Sequence, residues 1–314
     1  MKIVYGIGNI GNYRRPVVAL GVFDGMHRGH RRILKEAAAK ARRIKGRSVV
    51  LTFWPHPQKE ASLYSLKHRL KFIRDLGIDV CVVMHFNAAF SRIRPEVFVR
   101  KVLKEKLGAA YVYVGRNFKF GHRGTGNLRL LERMSPESRF MVRPFDIMRV
   151  NGVPISSSRI RRLITRGSLL DAERLLSEPV TVLGTVVKGD SFAATKLGFA
   201  TANINPHHEI LPPAGIYAVR VIIGRKIFQG ACYIGTRPTL GKKVQKGRDR
   251  NIEVHILDFN RNIYGREIEV QFLRRLRSEK TFSTPRDLAR QIEIDILQAR
   301  AVFSSHQTTT TSRN

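Results

Sequence analysis

The sequence predicts two domains in series: an α/β half built on a parallel sheet, then a small antiparallel β-barrel or sandwich closed by a C-terminal helix. Three observations carry that prediction. Short, almost wholly apolar runs alternate with helix-period segments as far as about residue 178, a pattern that needs helices on both faces of a sheet. From Val180 onward several runs alternate in polarity and are parted by Gly and Pro clusters, as hairpin-connected strands are. A length of 314 residues suits one large domain or two ordinary ones.

In the first half, Val17-Val18-Ala19-Leu20 reads as a buried strand. The stretch Gly21-Val22-Phe23-Asp24-Gly25-Met26-His27-Arg28-Gly29-His30 then turns into a helix on which Ile33, Ala37, Ala41 and Ile44 share a face. Residues 47–53 form a second buried strand, stopped by Trp54-Pro55-His56-Pro57, which leaves His56 exposed. A helix is expected over 66–76, a strand over 80–84, a helix opened by Pro95 and running to about Leu107, and a strand over 110–114. Ligands of such sheets bind off the carboxyl ends of the strands. The Gly21–His30 turn, the His56 segment and the turn after Val114 all fall there.

In the second half, strands are expected over 180–187, 215–223, 228–234, 252–259 and 268–276. Thr284 caps a terminal helix, with Pro285 at its first position and Leu288, Ile292, Asp295 and Ala299 along it. Residues 304–314 include four consecutive threonines and are expected to be disordered. The boundaries so read are 1–178, 179–303 and a tail over 304–314.

Lys and Arg number 57 against 24 Asp and Glu, a net charge of +33. The charge is spread through Arg42-Arg43, Arg159–Arg162, Lys242–Arg250 and Arg274–Arg277 rather than gathered in a tail. It reads as a solvated basic surface, with non-specific attraction to nucleic acid at most. No apolar run is long enough to span a bilayer, so no membrane partner is expected, and the N-terminus lacks the apolar segment of a signal peptide. Cys81 and Cys232 lie in separate strand-like stretches without metal-ligand spacing. Two buried free thiols in a cytoplasmic protein are expected. Oligomeric state leaves no mark in the sequence.

Three stretches carry chemistry. The strand-to-helix turn at Gly21–His30 offers backbone N–H groups and the positive end of a helix dipole to a phosphate. Gly25 and Gly29 allow close approach, and His27 and His30, one turn apart, can donate to the same anion. Alone, His-x-x-His is a tight turn with surface histidines; the preceding strand, the glycines and the following helix together make it a nucleotide site. At Ile155-Ser156-Ser157-Ser158-Arg159-Ile160-Arg161, three hydroxyls precede an arginine-rich helix, a second triphosphate-type pattern; by itself Ser158 would be an N-cap. In Lys196–Asn203, Thr201 and Asn203 point oxygen donors the same way from an extended segment, as a hard cation requires.

The Gly21–His30 stretch resembles the Gly-x-Phe-Asp-Gly-x-His-x-Gly-His motif of nucleotidyltransferases, as found in bacterial bifunctional riboflavin kinase/FAD synthetases. Gly115-Arg116-Asn117-Phe118-Lys119-Phe120-Gly121 resembles that family's Gly-x-Asp/Asn-Phe-x-Phe-Gly. The 155–161 run resembles its Ile-Ser-Ser-Thr/Ser-x-Ile-Arg, and Gly198-Phe199-Ala200-Thr201-Ala202-Asn203 resembles the Gly-Phe-Pro-Thr-Ala-Asn of riboflavin kinases. The matches run in order from about Val17 to Phe303.

The resemblance implies an α/β Rossmann-like nucleotidyltransferase domain, then a riboflavin kinase-like antiparallel β-barrel with a C-terminal helix. The barrel would phosphorylate riboflavin with Mg²⁺–ATP to give FMN, and the first domain would adenylylate FMN to FAD, releasing pyrophosphate. ATP contacts in the first domain are implied for Gly21, Phe23, Asp24, Gly25, His27, Gly29, His30, Asn117, Ser157, Ser158 and Arg161, with His27 and His30 catalytic. Thr201 and Asn203 would hold the magnesium–nucleotide, and His56, Gly198 and Phe199 would lie near flavin or ATP. Glu253 would take the proton from the riboflavin 5′-hydroxyl.

The chain departs from the family pattern at four places. Gly124 replaces a basic residue, with Arg123 beside it, and Trp54 replaces an acidic one before Pro-His-Pro. Ala194-Thr195 replaces Gly-Arg, crowding the phosphate-covering turn, and Ala200 replaces Pro, loosening the Thr201/Asn203 loop. Two other readings stay open at this stage. One is a paralogue that keeps only FMN adenylyltransferase activity. The other is a nucleic-acid-binding protein on the same scaffold, against which stands the lack of aromatics among the basic stretches.

Overall fold

The structure is a computed structural model that describes residues 1–57, 62–188, 199–207, 209–236 and 250–311. The chain divides into two compact units, Met1–Ser157 and Ser158–Asn314.

The first unit holds a six-stranded sheet of β1 (Lys2–Tyr5), β2 (Val17–Leu20), β3 (Ser48–Trp54), β4 (Val80–His85), β5 (Tyr111–Gly115) and β6 (Met141–Phe145), in the order β1-β4-β3-β2-β5-β6. Every pairing in it is parallel. Its helices are α1 (Arg28–Arg43), α2 (Leu66–Asp75), α3 (Ala88–Ser91), α4 (Pro95–Phe98) and α5 (Leu128–Ser138). All four residues of β2 are buried, as a strand bonded on both edges and covered on both faces must be. α1 seals one face with Ile33, Leu34, Ala37, Ala38 and Ala41; Ile44, expected on that face, is the C-cap instead. Leu20, Leu51, Val82 and Val112 share a core with Phe98, Val102 and Leu131.

The helix opened by Pro95 has the expected extent, but after α4 it continues over Val99–Lys106 as a π-helix, with Leu107 N donating to Val102 O at 2.9 Å. β1, β6 and the small hairpin of β7 (Arg149–Val150) and β8 (Val153–Pro154) escape the sequence reading. β1 and β6 are edge strands with mostly exposed or half-buried residues, so no continuous apolar run announces them.

The strand order reverses at β2. The chain goes from β2 to β3 and β4 on one side, and β5 lies on the other. Leu20 is level with Leu51 on one neighbour and Val114 on the other. The turns after β2 and β5 therefore leave the sheet side by side, at the position where open α/β sheets bind ligands.

The second unit contains α6 (Ser157–Arg166, starting at the junction), α7 (Leu169–Leu176), β9 (Val180–Val187), β10 (Ala202–Asn205), β11 (Gly215–Ile223), β12 (Lys226–Thr236), β13 (Arg250–Ile256), β14 (Glu267–Ser278) and α8 (Pro285–Thr311). The strands close a barrel in the order β10-β13-β12-β11-β14-β9, all pairings antiparallel. The compact units part at Ser157/Ser158, and α7 packs against β9 and β14. Cys81 and Cys232 are free and buried, and burial pushes the Cys81 thiol up to about 12.

α8 is capped as its sequence demands: Thr284 Oγ1 accepts from Asp287 N at 3.1 Å. Ala299, Val302 and Phe303 are buried against Ala218 and Leu273. The helix runs through Thr311, where the sequence predicts disorder from residue 304. Each added residue contributes a backbone hydrogen bond to a helix already nucleated. Asp295, buried on α8, takes two bonds from Arg277 of β14, at 2.8 and 2.7 Å. Removing one partner of a buried ion pair strands the other, so Asp295→Ala is expected to cost about 2 kcal/mol or more. Urea unfolding followed by circular dichroism measures it.

Candidate active sites

The turn after β2 is tightly built. Phe23 and Met26 adopt left-handed backbone, with φ of 53° and 40°, a conformation that persists only where the surroundings enforce it. A Cβ on Gly25 would lie 2.8 Å from Leu63 Cδ1 and 3.1 Å from Ser157 Oγ. Glycine there lets Ser157, the last residue of the first unit, sit directly against the turn.

His27 is the N-cap of α1, and its Nδ1 accepts from His30 N at 3.3 Å. That bond leaves the proton of the neutral ring on Nε2, as a donor. The His27 and His30 rings stack, with centroids 3.7 Å apart, and Phe23 meets His30 edge-on. Burial pulls the His27 pKa down to about 4, against a backbone hydrogen bond that raises it. His30 is held well below the usual imidazole range by burial, then by His27 and Arg69. Both rings are neutral at pH 7. The His30 side chain keeps some exposure, but its Nδ1 is buried and has no hydrogen-bond partner among the described residues.

Asp24 is 2% exposed, and both its carboxylate oxygens accept from Leu63 N, at 3.1 and 3.2 Å. It thereby anchors the approach to α2. His56 follows the cis Trp54–Pro55 bond and is half-buried, not exposed as its flanking prolines suggest. Asn117 is exposed in the turn after β5, closed by Phe118 N donating to Gly115 O at 2.9 Å. α6 begins at Ser157, two residues earlier than an N-cap role for Ser158 requires. Ser158 is exposed and Arg161 half-buried on that helix, within the second unit. A separate cavity of about 570 Å³ is lined by Arg94, His122, Arg129 and Arg133, among others, and by no residue of the Gly21–His30 turn.

Sequence reasoning misses Arg69. It lies on α2, where a charged residue reads as a solvated face, yet it is 1% exposed. Its guanidinium donates to Val22 O at 2.7 Å and to Phe53 O at 3.2 Å. Thr52 Oγ1 donates to the same Val22 carbonyl at 2.7 Å.

In the barrel, β10 and β13 pair so that Asn203 lies opposite Glu253, and β12 places Tyr233 on the other side of Glu253. Directly opposed residues project to the same side of a sheet, so the three form one polar row. Asn251 Nδ2 donates to Glu253 Oε1 at 2.5 Å. The Tyr233 hydroxyl donates to Glu279; burial, then Glu279, raises its pKa. Asn203 is buried and Thr201 lies half-buried just ahead of β10. His255 Nδ1 donates to Ala200 O at 2.8 Å, and Phe199 packs edge-on against His255. These contacts fasten the segment where Ala200 replaces the family's proline. Gly198 and the Ala194-Thr195 departure lie outside the described residues. Thr201 and Asn203 are neutral oxygen donors, so a hard divalent cation here takes its remaining ligands from phosphate and water. The donor set fits such an ion.

Two family models match the chain, FAD synthetase over residues 10–159 and riboflavin kinase over 176–303. The bifunctional riboflavin kinase/FMN adenylyltransferase of Haemophilus influenzae is 32% identical, the match covering 97% of this chain and 100% of that protein. The chain belongs to the bifunctional riboflavin kinase/FMN adenylyltransferase family. Members from Escherichia coli K12 and Listeria monocytogenes are 33% and 35% identical, the matches covering 96% and 92% of this chain and 98% and 92% of theirs. A solved structure described as a macrolide-efflux protein from Streptococcus pneumoniae aligns with a TM-score of 0.82 at 26% identity, covering 96% of this chain and 99% of that one. Among the described residues no helix is long and apolar enough to cross a membrane. The family's two domains thus stand in order on one chain.

The depressed histidines set a pH dependence. Unfolded, His27 takes a proton near pH 6.5; folded, only near pH 4. Between those values the unfolded chain binds the extra proton, so stability falls as pH falls. His27 alone accounts for about 3 kcal/mol across that window. Urea unfolding at pH 7 and pH 4.5 is expected to show a smaller loss on acidification for His27→Gln than for the parent.

Proposed function

We propose that the chain makes FAD from riboflavin in two ATP-dependent steps, one in each unit. The reading is supported by two polar clusters in separate compact units: the Gly21–His30 turn with Asn117 in one, and the Asn203, Glu253 and Tyr233 row in the other. Riboflavin, FMN and ATP are its small-molecule partners, Mg²⁺ its metal, and the cytoplasm its compartment.

In the barrel, Glu253 accepts the proton of the riboflavin 5′-hydroxyl as that oxygen attacks the γ-phosphorus of ATP, and ADP leaves. Asn251 and the row position opposite Asn203 hold the Glu253 carboxylate in place. Mg²⁺, held through Thr201 and Asn203, supplies charge neutralisation on the phosphates. Phe199, fixed against His255, borders the nucleotide or flavin.

In the first unit the FMN phosphate attacks the α-phosphorus of ATP and pyrophosphate leaves. No covalent intermediate with the protein is needed, so catalysis is positioning and charge stabilisation. His27 Nε2–H and the His30 ring donate to the phosphate oxygens, with Asn117 level on the neighbouring strand end. Gly21, Phe23, Gly25 and Gly29 shape the turn against ATP, Asp24 holds it from behind, and His56 borders the flavin or adenine. Ser157 reaches ATP beside Gly25; Ser158 and Arg161 are assigned to ATP by their motif alone.

The two activities are expected to separate by mutation. Glu253→Gln should lower riboflavin phosphorylation by roughly 10²–10⁴-fold while FAD formation from added FMN persists. His30→Ala should do the reverse. Chromatography of flavins after timed incubation with ATP reads both. Loss of both activities from either single change contradicts the assignment.

A further inference from the structure

Arg69 is buried where a buried charge is costly. A guanidinium taken from water needs excellent hydrogen bonding or a counter-ion to compensate, and an apolar residue would pack at the same place without that penalty. Its partners are instead two carbonyl oxygens at the carboxyl ends of adjacent strands: Val22, inside the Gly21–His30 turn, and Phe53, three residues before His56. The guanidinium also lies over the Trp54 ring, 5.3 Å from its centroid. Its Nε is buried with no hydrogen-bond partner among the described residues. The fork geometry of arginine is what lets one side chain hold two carbonyls in fixed directions; a lysine ammonium has no such plane.

Asp24 acts on Arg69 electrostatically and opposes the effect of burial, as does Cys81. Burial, then His27 and Arg69, opposes protonation of His30. The turn thus has neutral imidazoles with one permanent cation behind them.

We infer that Arg69 is a positioning residue for nucleotidyl transfer: it ties the His27/His30 turn to the His56 segment and keeps a fixed positive charge behind His30. The inference rests on the FMN adenylyltransferase reading above. Arg69 does not itself touch the phosphates. It holds the Val22 carbonyl where the turn leaves β2 and adds to the burial that already favours neutral His30. The residue is therefore invisible to a motif search, because its contribution runs through backbone carbonyls of other residues.

The test compares the full-length protein with Arg69→Met and Arg69→Lys. FAD formation gives kcat and the KM for ATP across pH, and nuclear magnetic resonance follows the His30 ring titration. Riboflavin phosphorylation by the same preparations is the control, since Arg69 is no part of the barrel. Arg69→Met is expected to lower kcat for FAD formation by roughly 10- to 100-fold, with the KM for ATP changed less than about threefold. It should also raise the His30 pKa and leave the kinase rate unchanged. Arg69→Lys should return the His30 titration toward the parent while kcat stays below it. Parent kcat and parent His30 titration in Arg69→Met would overturn the inference. If that variant does not fold, parent kcat in Arg69→Lys overturns the clamp. No FAD from the parent protein overturns the underlying reading instead, and shows before any variant is compared.

Discussion

The first site depends on β2 being hydrogen-bonded along both edges. A parallel strand held by β3 and β5, and buried on both faces, cannot shift register without breaking its hydrogen bonds to both neighbours and drawing a residue from outside the apolar run into the core. That lock sets Leu20 level with Leu51 and Val114. Every residue that leaves the sheet there inherits the alignment: the Gly21–His30 turn from β2, the His56 segment from β3 and the Asn117 turn from β5. The left-handed backbone at Phe23 and Met26 is tolerated because Arg69 and Thr52 hold the Val22 carbonyl between them and Asp24 fixes the Leu63 side. Strain of this kind persists only when the surrounding bonds over-determine it.

The barrel reaches a comparable precision by another route. Antiparallel register alone puts Asn203, Glu253 and Tyr233 in line across three strands. Closure of the barrel removes the free edge along which such a row could slip. The polar groups are anchored from the sides, by Asn251 on Glu253 and Glu279 on Tyr233. Strand-borne groups are the more rigid kind of catalytic support.

Much of this was legible in the sequence because it is periodic or punctuated. The continuous apolar runs of β2, β3 and β4, the helix-period face of α1, and the Thr284-Pro285 start of α8 each carry a local signal that tertiary packing reinforces. The glycines and histidines of the first turn were legible for the same reason. Edge strands β1 and β6 were not, since half-exposed strands lack an apolar run. The extension of α8 to Thr311 was masked by threonines that read as disorder. Asp24 and Arg69 illustrate a deeper limit. Nothing in their motif or helix position announces the bonds they make to backbone atoms 39, 47 and 16 residues away in sequence. No local pattern encodes such a contact.

The two-step account makes a claim about atoms that labelled ATP can read directly. Riboflavin is incubated with the full-length protein and ATP labelled at either the α- or the γ-phosphorus, and the flavins are separated over time. The account predicts γ-label in FMN, α-label absent from FMN, and both labels in FAD, with α-label appearing only after FMN has formed. FAD lacking α-label, or FMN lacking γ-label, would contradict it.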